Sequence, residues 1–314
     1  MAPVLSDPGV TRGSRHERQY RRRRAVAGVA LIAVVALIVI LERGSGLDSA
    51  HIPAAGRLHA GASPSRFDRA LGGRIAGHEL VGGATSPAQA RAIDRVLGYT
   101  SYVSLGSGRH RDVALTFDDG PGPFTPQVLG ILRRERVPAT FFQVGRSISA
   151  YRALGRQEAR DGYVIGDHTN THALLARLPL AEQSTEIGGT ANAIRDYGGP
   201  YPRLFRPPFG SLNANTSAVT RADHMLMVLW SVDTRDFSQP GTDRIVYTAL
   251  SGAKPGAIIL MHDAGGPRAQ TVAALPRIIR GLRRRHFHLV TVPKLILDDP
   301  PRRSQSPPRS LSGL

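Results

Sequence analysis

Two tandem aspartates, Asp118 and Asp119, close one apolar run, and two histidines four residues apart, His168 and His172, follow another. Carboxylate oxygens and imidazole nitrogens are the donors that borderline divalent cations such as zinc accept. Histidines at i and i+4 can point the same way from one helical turn. With one carboxylate they would form a three-donor site whose remaining positions stay open, as metal-assisted hydrolysis needs. The chain contains no cysteine, which excludes thiolate sites and disulfides. No His-Glu-x-x-His pattern surrounds the pair, so a zincin-type protease is not indicated. Further polar clusters occur at Arg206-Pro207-Pro208-Phe209-Gly210, at Asp233-Thr234-Arg235-Asp236-Phe237 and at His262-Asp263. Each has an ordinary structural explanation on its own. Asp-Asp-Gly-Pro makes a good turn, and Asp233 or Asp236 could cap the next helix or loop. Arg206 could be a surface arginine before a rigid turn, and His262 a core histidine at a strand end.

The elements that must position these residues alternate along the chain. Apolar runs at Val113–Phe117, Thr140–Val144, Tyr163–Ile165, Leu204–Phe205, Leu226–Val232, Ala257–Met261 and Leu289–Val292 read as strands. Between them lie helical patterns. Thr125-Pro126 supplies an N-cap and first-turn pair ahead of Val128, Leu129, Ile131 and Leu132. Ile187, Ala191 and Ile194 recur with helical spacing, as do Val272, Leu275 and Ile279. Repeated strand–helix alternation implies parallel βαβ units, in a barrel or an open doubly wound sheet. A distorted seven-stranded (β/α) barrel is the expected α/β fold. The polar clusters follow strands, so in such a barrel they converge on one mouth.

In that order and placement the motifs resemble those of the polysaccharide deacetylases of the NodB-homology group, carbohydrate esterase family 4. The matching segments are Thr116-Phe117-Asp118-Asp119-Gly120-Pro121, His168-Thr169-Asn170-Thr171-His172, Arg206 to Gly210, Asp233 to Phe237, and Leu260-Met261-His262-Asp263. The resemblance implies that Asp119, His168 and His172 hold a divalent metal, Zn2+ or another such as Co2+. It implies that Asp118 is the general base, oriented by Arg206, and that His262 is the general acid, paired with Asp236. The backbone N–H of Phe209 would stabilise the oxyanion, and Leu260 would line the pocket for the acetyl methyl group. Two positions depart from the family pattern. Phe237 stands where tryptophan is usual, which bears on how the sugar or acetyl group is gripped, and Phe209 stands where tyrosine is common. Trp230, the sole tryptophan, lies in a strand and reads as core. The implied activity is removal of N-acetyl groups from a cell-wall or extracellular glycan, peptidoglycan or chitin-like. An O-acetyl esterase acting on acetyl-xylan or a similar glycan, and a non-catalytic wall-binding module, are the alternatives.

Outside the catalytic segment, 109–298, the chain reads as four further parts. Residues 1–24 are strongly basic, and residues 25–41, AVAGVALIAVVALIVIL, form an unbroken apolar run next to Arg21 to Arg24. A run of that length sits near the lower limit for crossing a bilayer, and the arginines place its N-terminal side in the cytoplasm. The expected location is therefore the cell membrane, single-pass, with the catalytic domain outside. The alternative is secretion after signal cleavage. Residues 42–108 read as a linker or stalk, with a short helix over Pro87–Leu97, and 299–314 as a disordered tail. The formal net charge is +17, from 41 basic and 24 acidic residues. No basic stretch is interleaved with aromatics as single-strand binders require. The charge therefore suggests anionic wall polymers or lipid headgroups and not nucleic acid, and the expected catalytic unit is a monomer.

Overall fold

The computed structural model describes residues 83–305. The basic segment 1–24, the apolar run 25–41, residues 42–82 of the expected linker and residues 306–314 of the expected tail lie outside that range. The first element is α1, Pro87–Leu97. Its Ser86 side chain accepts from the Gln89 N–H while the Gln89 side chain accepts from the Ser86 N–H, a capping box followed by a first-turn proline. The chain continues through β1 (Tyr102–Val103), β2 (Asp112–Asp118), α2 (Thr125–Glu135), β3 (Thr140–Gln143), α3 (Gly145–Ala150) and α4 (Arg152–Arg160). Next come β4 (Val164–Asp167), α5 (Leu180–Asp196), β5 (Leu204–Phe205), α6 (Ala214–Ala222), β6 (Leu226–Val228) and β7 (Val232–Asp233). The described part closes with α7 (Thr242–Gly252), β8 (Ala257–His262), α8 (Ala269–Arg284), β9 (His288–Val290) and α9 (Val292–Asp298).

The strands form one nine-stranded sheet in the order β1-β6-β5-β4-β3-β2-β8-β7, with β9 attached to β2. All of its ladders are parallel. The sheet is a curled, incomplete barrel, with two strands more than the sequence pattern suggests. One addition is β1, too short to register as a strand in the sequence. The other arises because the apolar run 226–232 is broken. The Leu229 N–H bonds to the Val103 carbonyl and the Ser231 N–H bonds to the Ile258 carbonyl, so the chain leaves one strand neighbour for another within three residues. An antiparallel bridge links Leu105, just past β1, to Ala257 of β8.

Strand parity divides the core. On β2, Val113, Leu115 and Phe117 face outward into a cluster with Val128 and Leu132 of α2 and with Leu275 and Ile279 of α8. The alternate residue Ala114 faces inward, joining Phe142, Val164, Leu204 and Ile258. Because successive side chains point to opposite faces, Thr116 and Asp118 share the inward side with Ala114, and His262 shares it with Ile258 and Leu260. Burial on both faces is what a parallel sheet covered by helices requires.

The linker and tail need correction where they fall in the described residues. The helix expected over Pro87–Leu97 forms, but it is not part of a stalk. Ala92, Ile93, Val96 and Leu97 are buried in the inner cluster with Val292, Leu295 and Ile296 of α9. The tail is held at its start as well. Asp299 is buried and accepts hydrogen bonds from the Gly108 N–H at 2.8 Å and the Arg109 N–H at 3.2 Å. Gln305 accepts from the Ser104 N–H at 3.1 Å. A Gly- and Pro-rich composition hid these contacts because they are made across some 200 residues, between the two ends of the domain. The Thr125 cap also differs. The helix starts at Thr125 itself, whose hydroxyl accepts from the Gly122 N–H at 2.8 Å and donates to Asp263.

Candidate active site

Five segments meet at the C-terminal ends of the strands, around a cavity of about 230 Å3. Its walls include Asp118, Asp119, His168, His172, Phe209 and His262. Asp118 ends β2 and His262 ends β8, where the two residues are direct partners in the parallel ladder. Asp119 follows with a positive φ of 73°, which turns its carboxylate out of the strand direction.

The two histidines do not stand on a helical turn. Residues 168–172 form a loop after β4, in which Thr169 and His172 take left-handed backbone conformations. Short polar side chains build that loop. The Asp167 carboxylate accepts from the Thr169 N–H at 2.8 Å, and Glu186 of α5 accepts from the N–H and hydroxyl of Thr171 at 2.8 and 2.7 Å. The Gly145 and Arg146 N–H groups at the start of α3 donate to the carbonyls of Thr169 and Asn170. The result brings the rings of His168 and His172 to 5.0 Å between centroids.

One carboxylate oxygen, Asp119 Oδ1, lies 3.6 Å from His168 Nε2 and 3.2 Å from His172 Nε2. It is buried and has no hydrogen-bond partner. Donor atoms of Asp119, His168 and His172 all lie within 4.8 Å of one another. The His168 Nδ1 is 2.6 Å from the Arg206 carbonyl, which can only accept, so Nδ1 carries the proton and Nε2 presents its lone pair. Burial, and then the charge of His172, holds the His168 pKa well below the usual imidazole value. Burial also lowers that of His172, against the attraction of Asp119. Two neutral imidazoles and an orphaned carboxylate oxygen converging on one point fit a divalent cation.

Beside this trio, Asp118 Oδ1 accepts from Arg206 Nη1 at 2.7 Å, and both residues are buried. The guanidinium also donates to Thr116 Oγ1 at 2.8 Å and to the Val228 carbonyl at 2.9 Å, and it lies over the Phe142 ring at 4.1 Å. Burial pushes the Asp118 carboxyl up to about 6, against the pull of Arg206 and His262 and with repulsion from Asp119. At the neighbouring strand end, His262 Nδ1 is 2.7 Å from Asp236 Oδ1, and the Asp236 Oδ2 accepts from the His262 N–H at 2.9 Å and from Thr271 Oγ1 at 2.7 Å. Burial alone would lower the His262 pKa, but the charge and hydrogen bond of Asp236 outweigh it and raise it to about 9. Burial likewise opposes ionisation of Asp236, and His262 with the other donors overcomes it, leaving that pKa low.

Phe209 has a positive φ of 59° in a short turn, and its ring meets His172 edge-on at 4.7 Å. Phe237 lines the cavity against His262. Leu260 lies on the inward face of its strand but is not among the residues that line the cavity. It is 1 % exposed and packs with Leu229 and Trp230, and Trp230 forms the wall of the cavity at that place. Trp230 is thus both buried and a wall residue, with an indole N–H that has no partner. Two further residues had no assigned role in the sequence. Asp263 is fully buried behind Asp119; burial raises its pKa to about 7, opposed by the Thr125 hydrogen bond and aided by the charge of Asp119. Arg268 lines the cavity from the loop after β8. Its position six residues beyond His262, past two glycines and a proline, gave no periodic signal.

Comparison with known proteins agrees with this geometry. Residues 106–228 match the family described as Polysaccharide deacetylase. A chitooligosaccharide deacetylase of Bradyrhizobium sp. (strain ANU 289) is 40% identical over 198 residues, covering 59% of this chain and 90% of the relative. The chain belongs to the polysaccharide deacetylase family. A peptidoglycan-N-acetylglucosamine deacetylase of Bacillus cereus is 37% identical over 187 residues, covering 59% of this chain and 87% of that relative. The crystal structure of the Bc1960 peptidoglycan N-acetylglucosamine deacetylase superposes with a TM-score of 0.61 at 33% identity, covering 64% of this chain and 95% of that one. This deacetylase therefore shares the curled parallel α/β fold of its relatives over the region that carries the site. The stretch matched to the family ends before Phe237 and His262, which the fold itself returns to the cavity.

Proposed function

We propose that this deacetylase hydrolyses N-acetyl groups of an N-acetylglucosamine-containing glycan, peptidoglycan or a chitin-like polymer, and releases acetate. The observation that carries this reading is the placement of Asp118 and His262, paired at neighbouring strand ends, in one cavity with the Asp119–His168–His172 trio. A divalent cation held by that trio, zinc by the chemistry of its donors, would supply Lewis acidity, polarising the acetyl carbonyl and acidifying the attacking water. Asp118 Oδ1 is committed to Arg206, so its other oxygen takes the proton of the attacking water. The Phe209 N–H would donate to the oxyanion as charge develops. His262 holds its Nδ1 proton on Asp236, and its second nitrogen delivers a proton to the departing glucosamine nitrogen.

That last step distinguishes amide from ester hydrolysis. An amine leaves poorly without a proton, and a His262 pKa near 9 keeps that proton in place at neutrality. An O-acetyl esterase needs it less, and a wall-binding module needs none of these groups. Acetate release from N-acetylated peptidoglycan, chitin oligosaccharides and acetyl-xylan, with and without zinc after chelation, tests the reading. Zinc-restored release from the N-acetylated substrates supports it; release from acetyl-xylan alone favours the esterase.

The membrane-anchored, outward-facing location rests on the apolar run 25–41 and its flanking arginines. Among the described residues, no helix is long and apolar enough to cross a membrane. An anionic wall polymer as partner is supported by exposed arginines at 109–111, 133–136 and 280–285. These segments adjoin one another: Arg283 pairs with Glu135 at 2.9 Å, and Arg111 donates to the Arg285 carbonyl at 2.7 Å. They lie at the strand starts, opposite the cavity, so polymer binding there leaves the mouth free.

A further inference from the structure

A buried cation outside the reaction scheme lies against the proposed metal ligands. Arg268 is 3 % exposed, and its own loop fixes it. Its Nε donates to the Ala264 carbonyl at 2.7 Å and its Nη1 to the Pro267 carbonyl at 3.0 Å. That leaves Nη2 directed at Asp119 Oδ2, 3.8 Å away. The other Asp119 oxygen, Oδ1, is the one that faces both histidines and lacks a partner. The two oxygens therefore have separate surroundings. The backbone encloses Oδ2 as well: Gly265, at a φ of 75°, approaches it so closely that a Cβ there would collide with it. A carboxylate can bind a cation through one oxygen or both, and a guanidinium fixed beside one oxygen biases that choice.

We propose that Arg268 is a positioning residue for the metal trio: it holds Asp119 Oδ2 so that this carboxylate ligates through Oδ1 alone. The remaining positions on the cation then stay open for the substrate. The proposal rests on the reading that Asp119, His168 and His172 hold a divalent cation, and its test separates the two.

The sign of one effect discriminates. If Arg268 acted only as a nearby positive charge it would repel the cation, and its removal would tighten binding. A positioning role requires the opposite, a loss of roughly ten- to hundredfold in metal affinity. Zinc affinity of the full chain would be measured by chelator competition for the wild type, Arg268→Met and Arg268→Lys. The visible spectrum of each Co2+-loaded protein would report ligand geometry. Weaker zinc binding and a changed Co2+ spectrum in Arg268→Met, with a smaller but measurable change of the same sign in Arg268→Lys, are the expected result. If Arg268→Met does not fold, as judged by its melting transition, Arg268→Lys against wild type carries the test, because an ammonium cannot reproduce the guanidinium's anchorage. Unchanged or tighter zinc binding with an unchanged Co2+ spectrum in the folded variants would overturn the proposal, even if turnover fell. A wild-type chain that binds neither ion would instead sink the metal reading itself, and this proposal with it.

Discussion

Asp118 and His262 are direct partners across the ladder between β2 and β8, each the last residue of its strand. The Asp263 N–H also donates to the Asp118 carbonyl at 3.2 Å, continuing the ladder one step further. The proposed base and acid are thus fixed on two hydrogen-bonded strands, with less freedom than loop residues would have. Their second partners, Arg206 and Asp236, are buried and come from other segments, so each side chain is held from two directions.

Removing the proton acceptor while keeping the shape should stop turnover without emptying the metal trio. Asp118→Asn is expected to lower kcat by about 10²- to 10⁴-fold, the usual contribution of a general base. Metal analysis of the same protein should show wild-type zinc content. Turnover within a few-fold of wild type would remove Asp118 from that role.

Loss of one ligand should do the reverse. His168→Ala is expected to lose stoichiometric zinc, and acetate release with it, because two donors remain where the fold brings three together. Chelation of the wild type should abolish release and added zinc should restore it. Undiminished zinc affinity in His168→Ala would contradict the ligand assignment.

The pH profile should carry an alkaline limb near 9, where His262 loses its proton. In Asp236→Asn the attraction that raised this pKa is gone, while burial still disfavours the charge, so the limb should move towards or below the ordinary imidazole value of 6.5. Stability follows the same linkage. A folded pKa above the unfolded one stabilises fully below about pH 6.5, and that contribution fades as pH rises through about 9. Profiles of kcat for wild type and Asp236→Asn check the limb. The same limb in both proteins would show that Asp236 does not set it.

Arg206→Met should destabilise strongly. The guanidinium is fully buried, and its loss leaves the Asp118 carboxylate without its partner. About 3–5 kcal/mol is expected for breaking such a pair. Arg283→Met removes an exposed contact to Glu135 and should cost about 0–1 kcal/mol. Urea unfolding of both variants provides the comparison, and equal losses would show that the Arg206 pair has no special weight.

Ile93→Ala tests whether α1 belongs to the domain. Ile93 is 0 % exposed and packs with α9, so truncation should cost about 2–5 kcal/mol. A stalk helix would show almost no change in the same urea titration.

The sequence alone determined the alternation of strands and helices, and with it the parallel sheet. It also determined the order of the polar clusters, because residue types and turn chemistry are local properties that survive in one dimension. Thr125 shows the limit of such local reading: Thr-Pro marks a helix start correctly, but only the tertiary contact to Asp263 decides what the hydroxyl does. The pairing of His168 with His172 was legible from spacing, whereas its cause, a loop pinned by Glu186 of α5, was not. Trp230 is buried, as its place in an apolar run indicates, but its second place in the cavity wall depends on how the broken run 226–232 crosses between strands. Arg268 and the packing of α1 on α9 were invisible for one reason. Both depend on segments far apart in sequence meeting in space, and no pattern within either segment encodes the distance between them.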